Sequence, residues 1–152
     1  MTIYFDTSIL IKLYVQEVNT PAALEVIKDI KNSIPFSHIL EIELRTAIRL
    51  KYGQGEMTAA AMRSALQAME QDLAGSVLVR PEYDLEAVYE RSESLSSKYA
   101  ASTLARSSDI LHIAAALEAG CKGFASFDAR QRKLAALAGL KLIPATCTAP
   151  SL

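Results

Sequence analysis

Asp6 interrupts an otherwise apolar start, Ile3-Tyr4-Phe5-Asp6-Thr7-Ser8-Ile9-Leu10-Ile11, and Asp128 closes a second such run, Gly123-Phe124-Ala125-Ser126-Phe127. A carboxylate set among apolar residues is costly when it is buried without a partner. Each aspartate has a hydroxyl two positions away, Ser8 after Asp6 and Ser126 before Asp128. Two further acids sit in apolar helical stretches: Glu43 in Leu40-Glu41-Ile42-Glu43-Leu44-Arg45, and Asp109 at the head of Ser107-Ser108-Asp109-Ile110-Leu111-His112-Ile113-Ala114-Ala115-Ala116-Leu117. Four carboxylates converging on one crevice repel, and some stay protonated. A divalent cation removes that conflict. Oxygen ligands without a histidine or cysteine cluster favour magnesium, with manganese as the alternative, over zinc. Such an ion keeps several waters, one of which can become a nucleophile, and two ions about 3.5–4 Å apart steady both oxygens of a phosphodiester displacement.

Each acid also has a local role open to it. Asp6 can cap a helix starting near Ser8, and Asp128 can cap one beginning Ala129-Arg130. Asp109 can favour the positive end of its helix, and Glu43 can pair with Arg45 or with neighbours of Lys51. His112 follows Asp109 by three residues, on roughly the same helix face. It can act as a ligand or proton relay, although a buried, hydrogen-bonded histidine is the favoured reading. His38 is the only other histidine. No GxSxG-like context supports a nucleophilic triad. Arg45, Arg106, Arg130, Arg132 and Lys133 offer either a basic rim for phosphates or a solvated charged face.

The positions of these acids follow from the elements around them. Short, mostly apolar runs at Thr2–Phe5, Ile34–Ser37, Val77–Arg80, Gly123–Phe127 and Lys141–Ile143 read as strands buried on both faces of a parallel sheet. Between them, 3.6-residue periodicity predicts helices over Thr20–Lys31, Ile39–Lys51, Thr58–Leu73, Leu85–Tyr99, a stretch from Ser107 or Ser108 through Ala119, and Ala129–Ala138. Pro21 suits a first helical turn, Gly53-Gln54-Gly55 suits a hairpin between two helices, and Gly120 and Gly139 suit helix stops. Alternating strands and helices make the class α/β with a mainly parallel sheet. Ligands of such sheets bind beyond the carboxyl ends of the strands, where Asp6 and Asp128 fall.

The bulk composition agrees. The 152 residues suit one domain, over 1–152, and 51% hydrophobic with 22% charged residues predicts a folded core. A net charge of −1 argues against a strongly basic nucleic-acid coat but leaves room for a local basic rim. Cys121 and Cys147 form no disulfide framework or CxxC pair, which points to a reducing, cytoplasmic setting. The start MTIYFD lacks the marks of a signal peptide, and no apolar run approaches a membrane span.

The motifs Phe5-Asp6-Thr7-Ser8, Glu41-Ile42-Glu43-Leu44-Arg45, 107–117 and 124–135 resemble, in order and along nearly the whole chain, those of the PIN-domain nucleases. The likeness is greatest to VapC-type toxins of toxin–antitoxin modules. The resemblance implies a three-layer α/β/α sandwich with a short parallel sheet ordered 3-2-1-4-5. It also implies metal ligands at Asp6, Glu43, Asp109 and Asp128, with hydroxyl support from Ser8 and Ser126. Glu41 competes with Glu43, but the Leu-Arg that follows Glu43 suits the family better. The expected activity is a magnesium-dependent endoribonuclease that cleaves RNA through a metal-activated water, as the toxin of a pair with a cognate antitoxin. The expected oligomer is a homodimer, with dimer contacts and an antitoxin groove in the helical layer of Leu10, Ile11, Leu13, Tyr14, Leu24, Ile27 and Ile30.

Two other functions compete. A non-catalytic PIN-like docking module would be expected to have lost one or more of the acids, and all four are present. A haloacid-dehalogenase-like phosphatase also keeps an aspartate after the first strand, but its second aspartate would fall where this chain has Ser8.

Overall fold

In a computed structural model, described over residues 1–16, 20–28 and 30–147, strands and helices alternate along the chain. The strands are β1 (Ile3–Phe5), β2 (Ile34–Pro35), β3 (Leu78–Val79), β4 (Gly123–Ala125) and β5 (Lys141–Ile143). The helices are α1 (Thr7–Leu10), α2 (Thr20–Ile27), α3 (His38–Gly53), α4 (Ala59–Ala74), α5 (Leu85–Thr103), α6 (Ser107–Glu118) and α7 (Ala129–Leu137), with a 3-10 turn at Ile11–Leu13.

All strand pairings are parallel, as the unbroken apolar runs predict. β4 lies between β1 and β5, and β2 pairs with β3. β2 packs beside β1, so the spatial succession is the expected 3-2-1-4-5, but among the described residues no hydrogen-bonded ladder joins those two strands. Pro35 supplies the reason. Ile34 and Phe36 send their N–H groups toward β3, at 2.8 Å from the Val77 and Val79 carbonyls. Alternation then turns residue 35 toward β1, where proline has no proton to donate.

The sheet is held by aromatic and branched side chains. Tyr4 stacks on Phe124 across the β1–β4 pair, with ring centroids 5.7 Å apart and planes 6° from parallel. At Gly123 an added Cβ would lie 2.9 Å from Ile143 Cδ1 and 3.3 Å from Ile3 Cγ1 and Met1 Cε, so those side chains pack over the bare backbone and would have to shift to admit a methyl group. On α3, Leu40, Leu44 and Ile48 repeat at four-residue spacing and are wholly buried. Burying each contributes roughly 1.5–3 kcal/mol.

Several boundaries differ from the periodic reading. The helix expected over Thr20–Lys31 ends at Ile27, with Asp29 outside the described residues and Ile30 already beyond the helix. α1 begins directly after Asp6 and is only four residues long, too short to leave a period in the sequence. Neither Ser107 nor Ser108 caps α6. Ser107 is its first helical residue, and Asp109 instead accepts the Arg106 backbone N–H at 2.9 Å. Of the apolar residues expected to crowd one layer, Leu10 and Ile11 are buried, Leu13, Tyr14, Ile27 and Ile30 are half-buried, and Leu24 is exposed. A packed core absorbs most of that surface. Among the described residues, no helix is long and apolar enough to cross a membrane.

Candidate functional site

The boundary between β1 and β4 is the switch point of the sheet, with β2 and β3 on one side and β5 on the other. Asp6 stands there. Its backbone N–H extends the ladder by bonding the Ala125 carbonyl at 3.0 Å, and its side chain is 2% exposed. Its carboxylate accepts from the Ile9 N–H at 3.0 Å, which makes it the cap of α1. It also accepts from Ser8 Oγ, 2.9 Å from each oxygen, and from Ser126 Oγ at 2.7 Å. All these donors are neutral. Burial pushes the Asp6 pKa up, against the opposing pull of the Ser126, Ile9 and Ser8 hydrogen bonds.

Ser126, at the end of β4, joins Asp6 to the far side of the site. Its hydroxyl also pairs with Gln131 Oε1 at 3.0 Å and accepts the Asp128 N–H at 3.0 Å. Gln131 in turn donates from Nε2 to Asp109 Oδ1 at 2.9 Å. Its own backbone N–H is capped by Asp128 Oδ1 at 2.9 Å. Asp6, Asp109 and Asp128 are thereby tied to one edge through Ser126 and Gln131. The capping roles open to Asp6 and Asp128 are both realised, and capping is what places each carboxylate at this edge.

Glu43 approaches from α3. Its Oε2 accepts Thr7 Oγ1 at 2.7 Å and lies 2.6 Å from His112 Nε2. Burial pushes its carboxyl up, but the hydrogen bond and charge of His112, with the Thr7 hydroxyl, outweigh that and hold it below the usual range. The alternative pairing of Glu43 with Arg45 is not formed. Arg45 bonds Glu41 and Glu70, and Arg80 also reaches Glu41. Glu41 therefore belongs to an ion network on another face of α3.

The expectation that the four acids crowd together until they repel is corrected. Among the described residues, no three acidic, histidine or cysteine side chains are grouped closely enough to hold a metal ion by themselves. Ser126, Gln131 and Thr7 stand between the carboxylates, and it is burial, not a neighbouring carboxylate, that raises Asp6. The donor set still fits a hard cation. It is all oxygen, and magnesium needs only one or two direct carboxylates because it keeps waters in its remaining positions.

Of the basic residues, Lys133 donates to the Ser102 carbonyl at 2.8 Å, and Arg45, Arg106, Arg130 and Arg132 separate into three groups. Arg106 and Arg130 are exposed, at the heads of α6 and α7. Arg45 is engaged by two glutamates. Arg132 does not join a rim: it is 8% exposed, and its guanidinium donates to the carbonyls of Ser126 at 2.9 Å, Pro144 at 2.7 Å and Ala145 at 3.3 Å. Thr7, Gln131, Tyr4 and Ser37 are the connecting residues that sequence reasoning missed. Only Gln131 left a signal, as the third residue after a capping aspartate.

The family model described as PIN domain matches residues 3–137 of the chain. No curated protein matches it.

Proposed function

Because the chain belongs to the PIN-domain family, whose members are typically nucleases that use divalent metals, we propose that it is a magnesium-dependent endoribonuclease centred on Asp6, Glu43, Asp109 and Asp128. Manganese is the alternative ion. The observation that carries this reading is Asp6: a buried carboxylate at the sheet's switch point, surrounded by neutral donors and pushed toward its protonated form. A divalent cation beside it would supply the missing positive charge, draw electrons from a phosphate oxygen and lower the pKa of a water.

Asp6, Glu43 and Asp109 would hold the main ion in part through its waters, since among the described residues no three such side chains close on one point, and Asp128 would join Asp109 at a second position or through a water. Ser8 and Ser126 fix the orientation of Asp6, so little reorganisation is needed when substrate arrives. The exposed guanidinium groups of Arg106 and Arg130 flank the acidic edge and would hold RNA phosphates on either side of the scissile bond. Hydrolysis would leave a 3′-hydroxyl and a 5′-phosphate. The likeness of the four motifs to VapC-type proteins supports a toxin working in the cytoplasm as a homodimer, restrained by a cognate antitoxin.

The test is cleavage of RNA by the purified protein with magnesium. Wild type is expected to cut, and Asp6→Asn to lose about a hundredfold or more in rate, as enzymes do when a preorganised charge-stabilising group is removed. Equal rates for the two proteins would overturn the proposal.

A further inference from the structure

Behind Glu43 lies a chain of hydrogen bonds that the proposed hydrolysis does not use. Glu43 Oε2 is 2.6 Å from His112 Nε2, and His112 Nδ1 is 2.9 Å from the Tyr4 hydroxyl. The Tyr4 hydroxyl is 2.6 Å from Ser37 Oγ, which accepts the Leu40 N–H at 3.2 Å as the cap of α3. His112, Tyr4 and Ser37 are each 1% exposed or less. The chain starts at Glu43 on α3, passes through α6 and β1 and returns to the head of α3 at Ser37, so it ties three elements to one carboxylate oxygen.

The proton positions follow from the partners. A carboxylate oxygen accepts, so at 2.6 Å from Glu43 Oε2 it is Nε2 that carries the hydrogen. Nδ1 pairs with the Tyr4 hydroxyl, and the Tyr4 hydroxyl pairs with Ser37 Oγ, which takes the Leu40 N–H. No buried side-chain polar atom among the described residues lacks a partner. Thr7 Oγ1 meets the same Oε2 from the opposite element, α1, at 2.7 Å. The two donors converge on one oxygen, and among the described residues Oε1 accepts from none.

We infer that His112, backed by Tyr4 and Ser37, is a positioning residue that locks the Glu43 carboxylate so that Oε1 is the oxygen presented to the cation. The inference rests on the metal reading of the site. An unrestrained glutamate would have to give up rotamer freedom on each binding event. Here the imidazole and Thr7 have already removed it. Partners of this kind typically change metal affinity or activity by ten- to a hundredfold when they are removed.

Tyr4→Phe is the mild test, because it keeps the ring stacked on Phe124 and deletes only the hydroxyl. Manganese affinity by calorimetry, and kcat and KM on RNA with magnesium, are compared in wild type, Tyr4→Phe, Glu43→Gln and the double variant. The imidazole 15N spectrum of the metal-free protein is recorded alongside. Expected are a hydrogen on Nε2 in wild type, about tenfold weaker manganese binding in Tyr4→Phe, a lower kcat with little change in KM, and no further loss when Tyr4→Phe is added to Glu43→Gln. Unchanged affinity and kcat in Tyr4→Phe, or losses that multiply in the double variant, would overturn the inference. If wild type itself binds no manganese, the metal reading fails. The locking of Glu43 is then decided by the spectrum: a hydrogen on Nε2 whose signal moves in Glu43→Gln supports it, and a hydrogen on Nδ1 overturns it.

Discussion

Glu41 and Glu43 lie two residues apart on one helix and meet opposite surroundings. Two residues rotate a helical side chain by about 200°, so neighbours in sequence face nearly opposite ways. Glu41 lies between the Arg45 and Arg80 guanidinium groups. Its charge is cancelled, and its work is to tie α3 to the end of β3. Glu43 turns toward α1 and α6, where it meets one hydroxyl and one imidazole and keeps an oxygen for something else. Both carboxyls are held below the usual range, although burial opposes it in each, so acidity alone would not tell them apart. The partners do: fixed cations close a site, whereas neutral or switchable donors leave it open to a metal.

Activity separates the two most widely. Glu43→Gln is expected to lower the rate of RNA cleavage by on the order of a hundredfold or more, since it removes a carboxylate from the proposed cation's surroundings. Glu41→Gln is expected to leave that rate within about threefold. Parallel cleavage assays on the two variants read the contrast directly, and a loss that fell mainly on Glu41→Gln would move the centre to the other face of α3.

The same half-turn separation recurs on α7, where it sharpens the comparison through stability. Arg130 is exposed beside Asp128, while Arg132 is buried and spends its donors on three carbonyls. Replacing Arg132 by Met leaves those carbonyls without their charged donor, for an expected loss of about 2–3 kcal/mol in urea unfolding. Arg130→Met is expected to change stability by under about 0.5 kcal/mol, and to raise the KM for RNA instead. If Arg132→Met unfolded no more easily than Arg130→Met, the buried guanidinium would not be a structural tie.

These pairs mark where the sequence was legible and where it was not. The strand runs, the helical spacing and the position of Asp6 and Asp128 beyond strand ends could all be read locally, because each depends on a few adjacent residues. Which of two alternating residues points inward could not. The burial of Arg132 depends on carbonyls at 144 and 145, and the pairing of Glu41 depends on Arg80. The links through Tyr4 join residues 33 and 108 positions apart, and neither end carries a motif. The split between β1 and β2 needed the register before the missing N–H of Pro35 had any meaning. Convergence of the acids was legible as a direction but not as a distance, since Thr7, Ser126 and Gln131, which hold them apart, look like ordinary loop and helix residues.

The smallest effect sets Asp6 against Glu41 and turns on sign. The folded-state pKa of Asp6 lies above its ordinary 3.8 because of burial. As pH rises through the interval between those values, the native state holds a proton that the unfolded chain releases, so stability falls; above both values a constant penalty remains. Asp6→Asn removes that penalty and is expected to stabilise the fold at neutral pH, a gain that fades as pH drops toward the ordinary value. Glu41 has the opposite sign. Its folded-state pKa lies below its ordinary 4.5, since the arginines outweigh burial, so its contribution is complete above that value and is lost as pH falls through the folded one. The Arg80 partner is 44% exposed and solvent screens it, so Glu41→Gln is expected to cost no more than about 1 kcal/mol at neutral pH, again vanishing in acid. Urea unfolding of both variants against wild type, from about pH 7 to about pH 3, should give two differences of opposite sign that converge on zero. A destabilised Asp6→Asn at neutral pH would mean that the hydroxyls of Ser8 and Ser126 already offset the cost of burying this carboxylate, and the fold would then hold Asp6 in place without help from a cation.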